Sequence, residues 1–273
     1  MASGSVQFRD GITNLGAPVT LAAGQATFTT TTLSAGAHSI TIVYSGNTSF
    51  TTSTSAVVAH QVNAAGAAAP TVDVTVNRTG TGTQTTAAFS TTGAGRWVFA
   101  FVRMDGPAAV SSQTSTVSGA GLTWSLVRRT NARFGTSEVW AAFAPATLTN
   151  VTVTATPLVG GFRQAFTVIA FANSAGPGAS ASNSAATGAP TVSLTTTQAN
   201  SLVYAAGNDW DRAVNRTVPA GQTMVNQVLD PVGDTFWTQR LTNAVASPST
   251  VTINNTAPTN DQWNYAAVEV KGL

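Results

Sequence analysis

The densest group of chemically capable side chains is Gly207-Asn208-Asp209-Trp210-Asp211-Arg212. A second group, Thr259-Asn260-Asp261-Gln262-Trp263-Asn264, has the same make-up. A flat indole among Asp, Asn and Gln suits a carbohydrate, with one stacking face and polar partners for the hydroxyls. Trp210, Asp209, Asp211, Trp263, Asp261 and Asn260 are therefore the candidate ligand-binding residues. A polysaccharide or cell-surface glycan is the candidate partner. The competing use of such an indole is to cover one end of a β-sandwich. Asn208, Asp209 and Asp211 also offer several oxygens from one loop, which a calcium ion could take. The competing reading is an Asx turn, with Asp211 paired to Arg212 or Arg216. No other cofactor is suggested.

Catalysis finds little to work with. The chain has two histidines, His38 and His60, and no cysteine. Beyond residue 60 no Ser-His-Asp or Cys-His arrangement can be assembled, and two histidines cannot make a three-His zinc site. Glycoside hydrolysis needs two facing carboxylates. Glu138 and Glu269 both sit in runs of apolar alternation, and an open cleft between them would make a hydrolase. No motif supports that arrangement. The expectation is a protein that is not an enzyme, with an accessory or degenerate glycoside hydrolase domain as an alternative. The remaining tryptophans, Trp97, Trp124, Trp140 and Trp237, fall on apolar strand faces and are expected in the core.

Composition narrows the class further. Charged residues make up 8% of the 273, against about 25% in an average soluble protein. Eleven of the twelve cations are Arg, and no basic run exceeds Arg128-Arg129. A nucleic-acid binder would carry a clustered basic face, so none is expected as a partner. No apolar run approaches the ~18 residues of a membrane span. Polarity comes instead from Thr, Ser, Asn, Gln and Gly, which favour strands and turns. Met1-Ala2-Ser3-Gly4 is not the start of a signal peptide, which would follow a basic stretch with an apolar one. The expectation is a fragment of an extracellular or cell-surface protein.

The elements that must position these groups are strands. Residues 1–62 alternate with a two-residue period, in runs such as Val6-Gln7-Phe8-Arg9, Ala26-Thr27-Phe28-Thr29 and His38 to Tyr44, broken by Asp10-Gly11, Ala23-Gly24 and Ser45-Gly46-Asn47. Short strands with Gly turns at this spacing predict an all-β sandwich. Residues 63–70, Asn-Ala-Ala-Gly-Ala-Ala-Ala-Pro, read as a linker. Residues 71–273 repeat internally at a shift of about 100 residues. Trp97–Phe101 answers to Leu202–Ala206, Gly121–Trp124 to Gly221–Met224, Glu138–Trp140 to Thr235–Trp237, Asn150–Thr154 to Thr250–Asn254, and Ala165–Ile169 to Asn264–Val268. Two halves, about 71–173 and 190–273, are predicted to share one larger, jelly-roll-like two-sheet sandwich of roughly ten strands. Residues 174–190 read as a connection without apolar period.

The first region carries a resemblance. The Phe8-Arg9-Asp10-Gly11 turn, Leu33-Ser34-Ala35-Gly36-Ala37-His38-Ser39-Ile40 and Tyr44-Ser45-Gly46-Asn47 resemble the bacterial Ig-like repeat of surface and adhesion proteins. The resemblance implies a partial Ig-like β-sandwich acting as a stalk, with His38 structural. Such repeats usually begin with two more strands, so the module is expected to lack them. Phe8, Phe28, Ile40, Ile42 and Val57 would then be partly uncovered, and pairing with another copy through an exposed strand edge becomes possible. The larger region resembles β-rich modules of large secreted bacterial proteins, which implies no chemistry. The functional expectation is a non-catalytic extracellular or cell-surface module for adhesion or carbohydrate binding. A purely structural segment of an extracellular fibre is the other alternative.

Overall fold

The computed structural model describes residues 3–34, 36–62 and 68–273. Most of the expected linker, residues 63–67, lies outside the described residues. The chain divides into two compact units, Met1–Gly66 and Ala67–Leu273. Strands are antiparallel throughout, and no helix occurs among the described residues.

The first unit holds β1 (Ser5–Asp10), β2 (Thr13–Asn14), β3 (Val19–Thr20), β4 (Gly36–Tyr44), β5 (Ser53–Thr54) and β6 (Val58–Val62). All six belong to one sheet. Its order is β2-β1-β4-β5, with β3 also on β1 and β6 also on β4. The turn at Asp10-Gly11 closes a hairpin with Gly11 at φ 54°, which glycine adopts without strain. One face of the sheet carries Val6, Phe8, Ile40 and Ile42, since Val6 pairs with Tyr44 and Phe8 with Ile42. Only Val6 among these is buried; the other three are half-buried and Val57 is exposed. The run Ala26–Thr29 is not a strand, contrary to its alternation. Its Thr-rich continuation bonds locally, Thr32 N–H donating to Thr30 Oγ1 at 3.2 Å, and no ladder partner takes it. Phe28 nevertheless stacks on Phe8, with ring centroids 5.4 Å apart.

The second unit is a duplicated structure. Its first half holds β7 (Thr71–Thr81), β8 (Gln84–Thr85), β9 (Arg96–Met104), β10 (Ser115–Gly119), β11 (Ser125–Thr130), β12 (Thr136–Ala144), β13 (Val153–Pro157) and β14 (Arg163–Ala172). Its second half holds β15 (Ser174–Ala185), β16 (Thr191–Thr195), β17 (Leu202–Asp209), β18 (Gln222–Leu229), β19 (Thr235–Leu241), β20 (Thr250–Asn254) and β21 (Trp263–Gly272). The five-stranded sheets run β11-β12-β9-β14-β7 and β18-β19-β17-β21-β15, the same order in the same sequence positions. The smaller sheets are β10-β13-β8 and β16-β20.

Registers repeat as well. Phe101 pairs with Val139 and Thr167, and the corresponding Ala206 pairs with Thr238 and Ala266. A β-bulge interrupts β11 between Leu126 and Arg128, and another interrupts β18 between Met224 and Asn226. These ladders make Trp140 the counterpart of Gln239 and Trp237 the counterpart of Glu138. The alignment of Trp140 with Trp237 is thus two residues out of register. A slip of two keeps every side chain on its own face, so alternation cannot detect it.

Three cores follow from the alternation. The outward faces of the large sheets pack on the small ones: Val98, Ala100 and Phe166 on Val117 and Val153 in one half, Val203, Tyr265 and Ala267 on Val192 and Ile253 in the other. The inward faces meet in a central core of Phe99, Phe101, Phe171, Tyr204, Val268 and Val270. The unit is therefore four layers, not one two-sheet sandwich, although the halves do share a core. The stretch after residue 173, read as a connection, contains β15. Its Ser-Ala-Gly-Pro run hides the strand because it lies at a sheet edge, pairs only with β21, and is bulged twice. The two ends of this unit adjoin, Leu273 N–H donating to the carbonyl of Ala68 at 3.1 Å.

Candidate functional site

The sequence-derived cluster comes together at one end of the second unit, because β17 and β21 are neighbours and Asp209 pairs with Trp263. Its polar groups are spent on one another. Buried Asp209 binds Arg216 and accepts the Asp211 N–H at 2.7 Å. Asp261 accepts Arg212 Nε at 2.7 Å, and Asn260 accepts the same guanidinium. Asp211 takes the backbone and side-chain N–H groups of Gln262 at 2.7 and 2.9 Å. Asn208 Oδ1 accepts from Ser137 Oγ at 3.0 Å and from Asn264 Nδ2 at 3.2 Å. Arg216 also lies over the Trp237 ring at 4.8 Å. No group of three or more His, Asp or Glu side chains among the described residues is placed to hold a metal ion.

Trp263 and Trp210 are not presented together. Trp263 is 2% exposed in the outer core of the second half, its indole N–H donating to Gly188 O at 2.8 Å. It has no face to offer a sugar. Trp210 is half-buried, packs edge-on against Phe134 at 4.9 Å and donates to Gly106 O at 3.2 Å. That bond joins the loop after β17 to its counterpart after β9. Between the two loops lies a cleft of about 300 Å³ lined by Trp210, Phe162, Val232, Asp105, Asp211 and Asp234. Burial, reinforced by Asp105, Asp230 and Asp211, pushes the Asp234 carboxyl up to about 8. Burial also raises Asp105. The repeat held the signal for this cleft, since it makes Arg103-Met104-Asp105-Gly106 the counterpart of the Trp210 loop; the turn that supplies Asp234 carries no such mark.

Glu138 and Glu269 are both fully buried and saturated. Glu138 accepts from Ser115 N and Oγ at 2.8 Å each, from Trp140 Nε1 at 2.8 Å and from Arg129 Nε at 2.8 Å. Glu269 accepts from Ala179 N and Thr197 N at 2.8 Å each and from Ser201 Oγ at 2.7 Å. Burial pushes Glu269 up, but these donors outweigh it and hold the carboxyl below its usual range. Neither carboxylate opens on a cleft.

A larger groove, of about 510 Å³, was missed because Trp97 reads as a core residue. Trp97 and Phe143 lie on the inward faces of neighbouring strands, their rings 5.4 Å apart. Phe143 is 46% exposed, so the second sheet leaves this end of the row uncovered. Gly176 of β15 backs the Trp97 ring at van der Waals distance; a Cβ there would approach it to 2.6 Å. Leu122, Thr123, Ser125 and Pro145 complete the wall, which carries no charged residue.

Comparison with known families places the first unit. Residues 1–63 match the profile of the bacterial Ig-like domain (group 3). Domains of this type are usually extracellular and typically non-catalytic. No curated protein and no solved structure matches the chain.

Proposed function

We propose that the chain is a non-catalytic adhesion module of an extracellular or cell-surface protein, with the Ig-like unit as stalk and the duplicated unit as a carbohydrate-binding head. The observation that carries the head's role is the pairing of half-buried Trp97 with exposed Phe143, Trp97 backed by Gly176, in an uncharged groove. Aromatic faces take the apolar C–H faces of a sugar ring, and Thr123 and Ser125 supply hydroxyls for orientation. The stalk role rests on the Ig-like match. The absence of catalysis rests on Glu138 and Glu269, whose oxygens are occupied by protein donors.

The test is a glycan array and a polysaccharide pull-down with the full chain and with Phe143→Ala. Retention on at least one glycan, lost in Phe143→Ala at unchanged melting temperature, is the expected result. Retention on none would remove the carbohydrate reading and leave the stalk.

A further inference from the structure

The cleft beside Trp210 has a chemistry that a neutral sugar would not satisfy. Asp234 is 3% exposed, lines the cleft, and its Oδ2 has no hydrogen-bond partner. A buried oxygen without a donor is costly, and so is a set of carboxylates gathered with no cation among them. Asp105, at the end of β9, and Asp211, after β17, face the same space. Arg163 of β14 stands nearby but is engaged by Asp230, at 2.7 Å, in the turn that carries Asp234. No basic side chain lines the cleft itself.

A ligand that brings both positive charge and N–H donors would complete the site. The walls choose among cations. The described carboxylates are not grouped for a metal ion. The rest of the lining is Trp210, Phe162 and Val232, an aromatic and aliphatic surface. The indole N–H is already committed to Gly106 O, so the polar side-chain atoms the cleft offers a ligand are carboxyl oxygens. Carboxylates beside an aromatic wall favour an ammonium on an apolar stem.

We propose that the cleft between Trp210, Asp105 and Asp234 binds a primary alkylammonium group of the kind a lysine side chain presents, its methylenes against Trp210, Phe162 and Val232 and its N–H groups on the Asp234 and Asp105 carboxylates. The site is separate from the Trp97–Phe143 groove and does not depend on the carbohydrate reading. It gives the head a contact suited to protein surfaces.

The full chain is titrated calorimetrically with n-butylammonium chloride at constant ionic strength. n-Butanol serves as the neutral match, and glucosamine hydrochloride and calcium chloride as alternative cations. Butylammonium is expected to saturate one site and butanol to give no binding. Asp234→Asn and Asp105→Asn should each weaken butylammonium about tenfold or more, at a melting temperature no lower than that of the parent for Asp234→Asn. Phe143→Ala should leave this binding unchanged. The proposal is overturned if butylammonium does not saturate, if butanol binds equally, or if Asp234→Asn binds as the parent does. Tighter binding of glucosamine or calcium, or loss of butylammonium binding in Phe143→Ala, would also overturn it.

Discussion

Glu138 and Glu269 point out of opposite faces of the central pair of sheets. Their chain neighbours Val139, Val268 and Val270 fill the core between those sheets, so by alternation each carboxylate faces away from it. The two five-stranded sheets of the second unit separate them, and no substrate can sit between them as a glycosidic bond would have to. Their work is structural. Glu138→Ala strands the partly buried Arg129 guanidinium and the Trp140 N–H, and is expected to cost about 3–5 kcal/mol. Urea unfolding followed by tryptophan fluorescence measures this, and a loss under about 1 kcal/mol would show the network to be dispensable.

Trp263 and Trp210 should separate cleanly by stability. Trp263→Ala removes a buried ring and is expected to cost about 3–5 kcal/mol. Trp210→Ala, half-exposed, should cost about 1–2 kcal/mol. Thermal unfolding of both variants checks the order, and equal losses would contradict the burial difference.

Gly176→Ala should disturb the groove without substituting any of its wall residues. Gly176 sits at φ +90°, and an added Cβ meets the Trp97 ring. Strain and overpacking are expected to cost about 1–3 kcal/mol. The Trp97 ring must shift, so any glycan retained by the parent should bind more weakly. Unchanged glycan retention would place the ligand elsewhere.

The Ig-like unit should lose stability on both sides of a mildly acidic window. His38 Nδ1 meets Asp10 Oδ2 at 2.6 Å and its Nε2 meets Ser34 O at 2.7 Å, so both ring nitrogens face acceptors. The Asp10 bond, then the Ser34 carbonyl, raises His38 above 6.5, and the His38 bond lowers Asp10 below 3.8. The raised histidine stabilises fully below 6.5, and that contribution is lost as pH climbs through its folded value. The lowered aspartate stabilises fully above 3.8, and that contribution is lost as pH falls through its folded value. Amide exchange of Ser39, whose N–H donates to Asp10 at 3.0 Å, should be slowest relative to its intrinsic rate between these limits. His38→Gln should flatten the alkaline side.

Chelation should leave the protein unchanged. Asn208, Asp209 and Asp211 are bonded to protein donors, so EDTA is expected not to move the melting temperature. A drop reversed by calcium would restore the calcium reading by mass action.

What the sequence disclosed was pattern, and what it concealed was partnership. Alternation located the main strands of the large sheets, β9, β12, β14, β17, β19 and β21, but about five strands per half were expected where eight and seven occur among the described residues. The repeat located the common order of these strands. It could not fix the β12–β19 register, because a two-residue slip preserves facing, and it could not reveal β15, whose Ser, Ala and Gly carry no apolar contrast. The Asp-Trp-Asp run was legible as a polar cluster at a strand end. Its destination was not, since Arg212 and Arg216 reach Asp261 only once β17 and β21 are side by side. Trp97 packs on the central core as expected yet also borders the groove, while Trp263 is buried and not at a binding surface. One lies where the opposing sheet stops, the other where a small sheet covers it, and neither boundary is written in local sequence.

The meeting of Ala68 with Leu273 has a mechanical consequence. Tension applied across those two points would not stretch the four layers along their strands. It would first part the Leu273–Ala68 bond and then peel β21 from its neighbours one hydrogen bond at a time, as a zipper opens, so resistance would be low from the outset. The duplicated unit is therefore poorly shaped to transmit force in series.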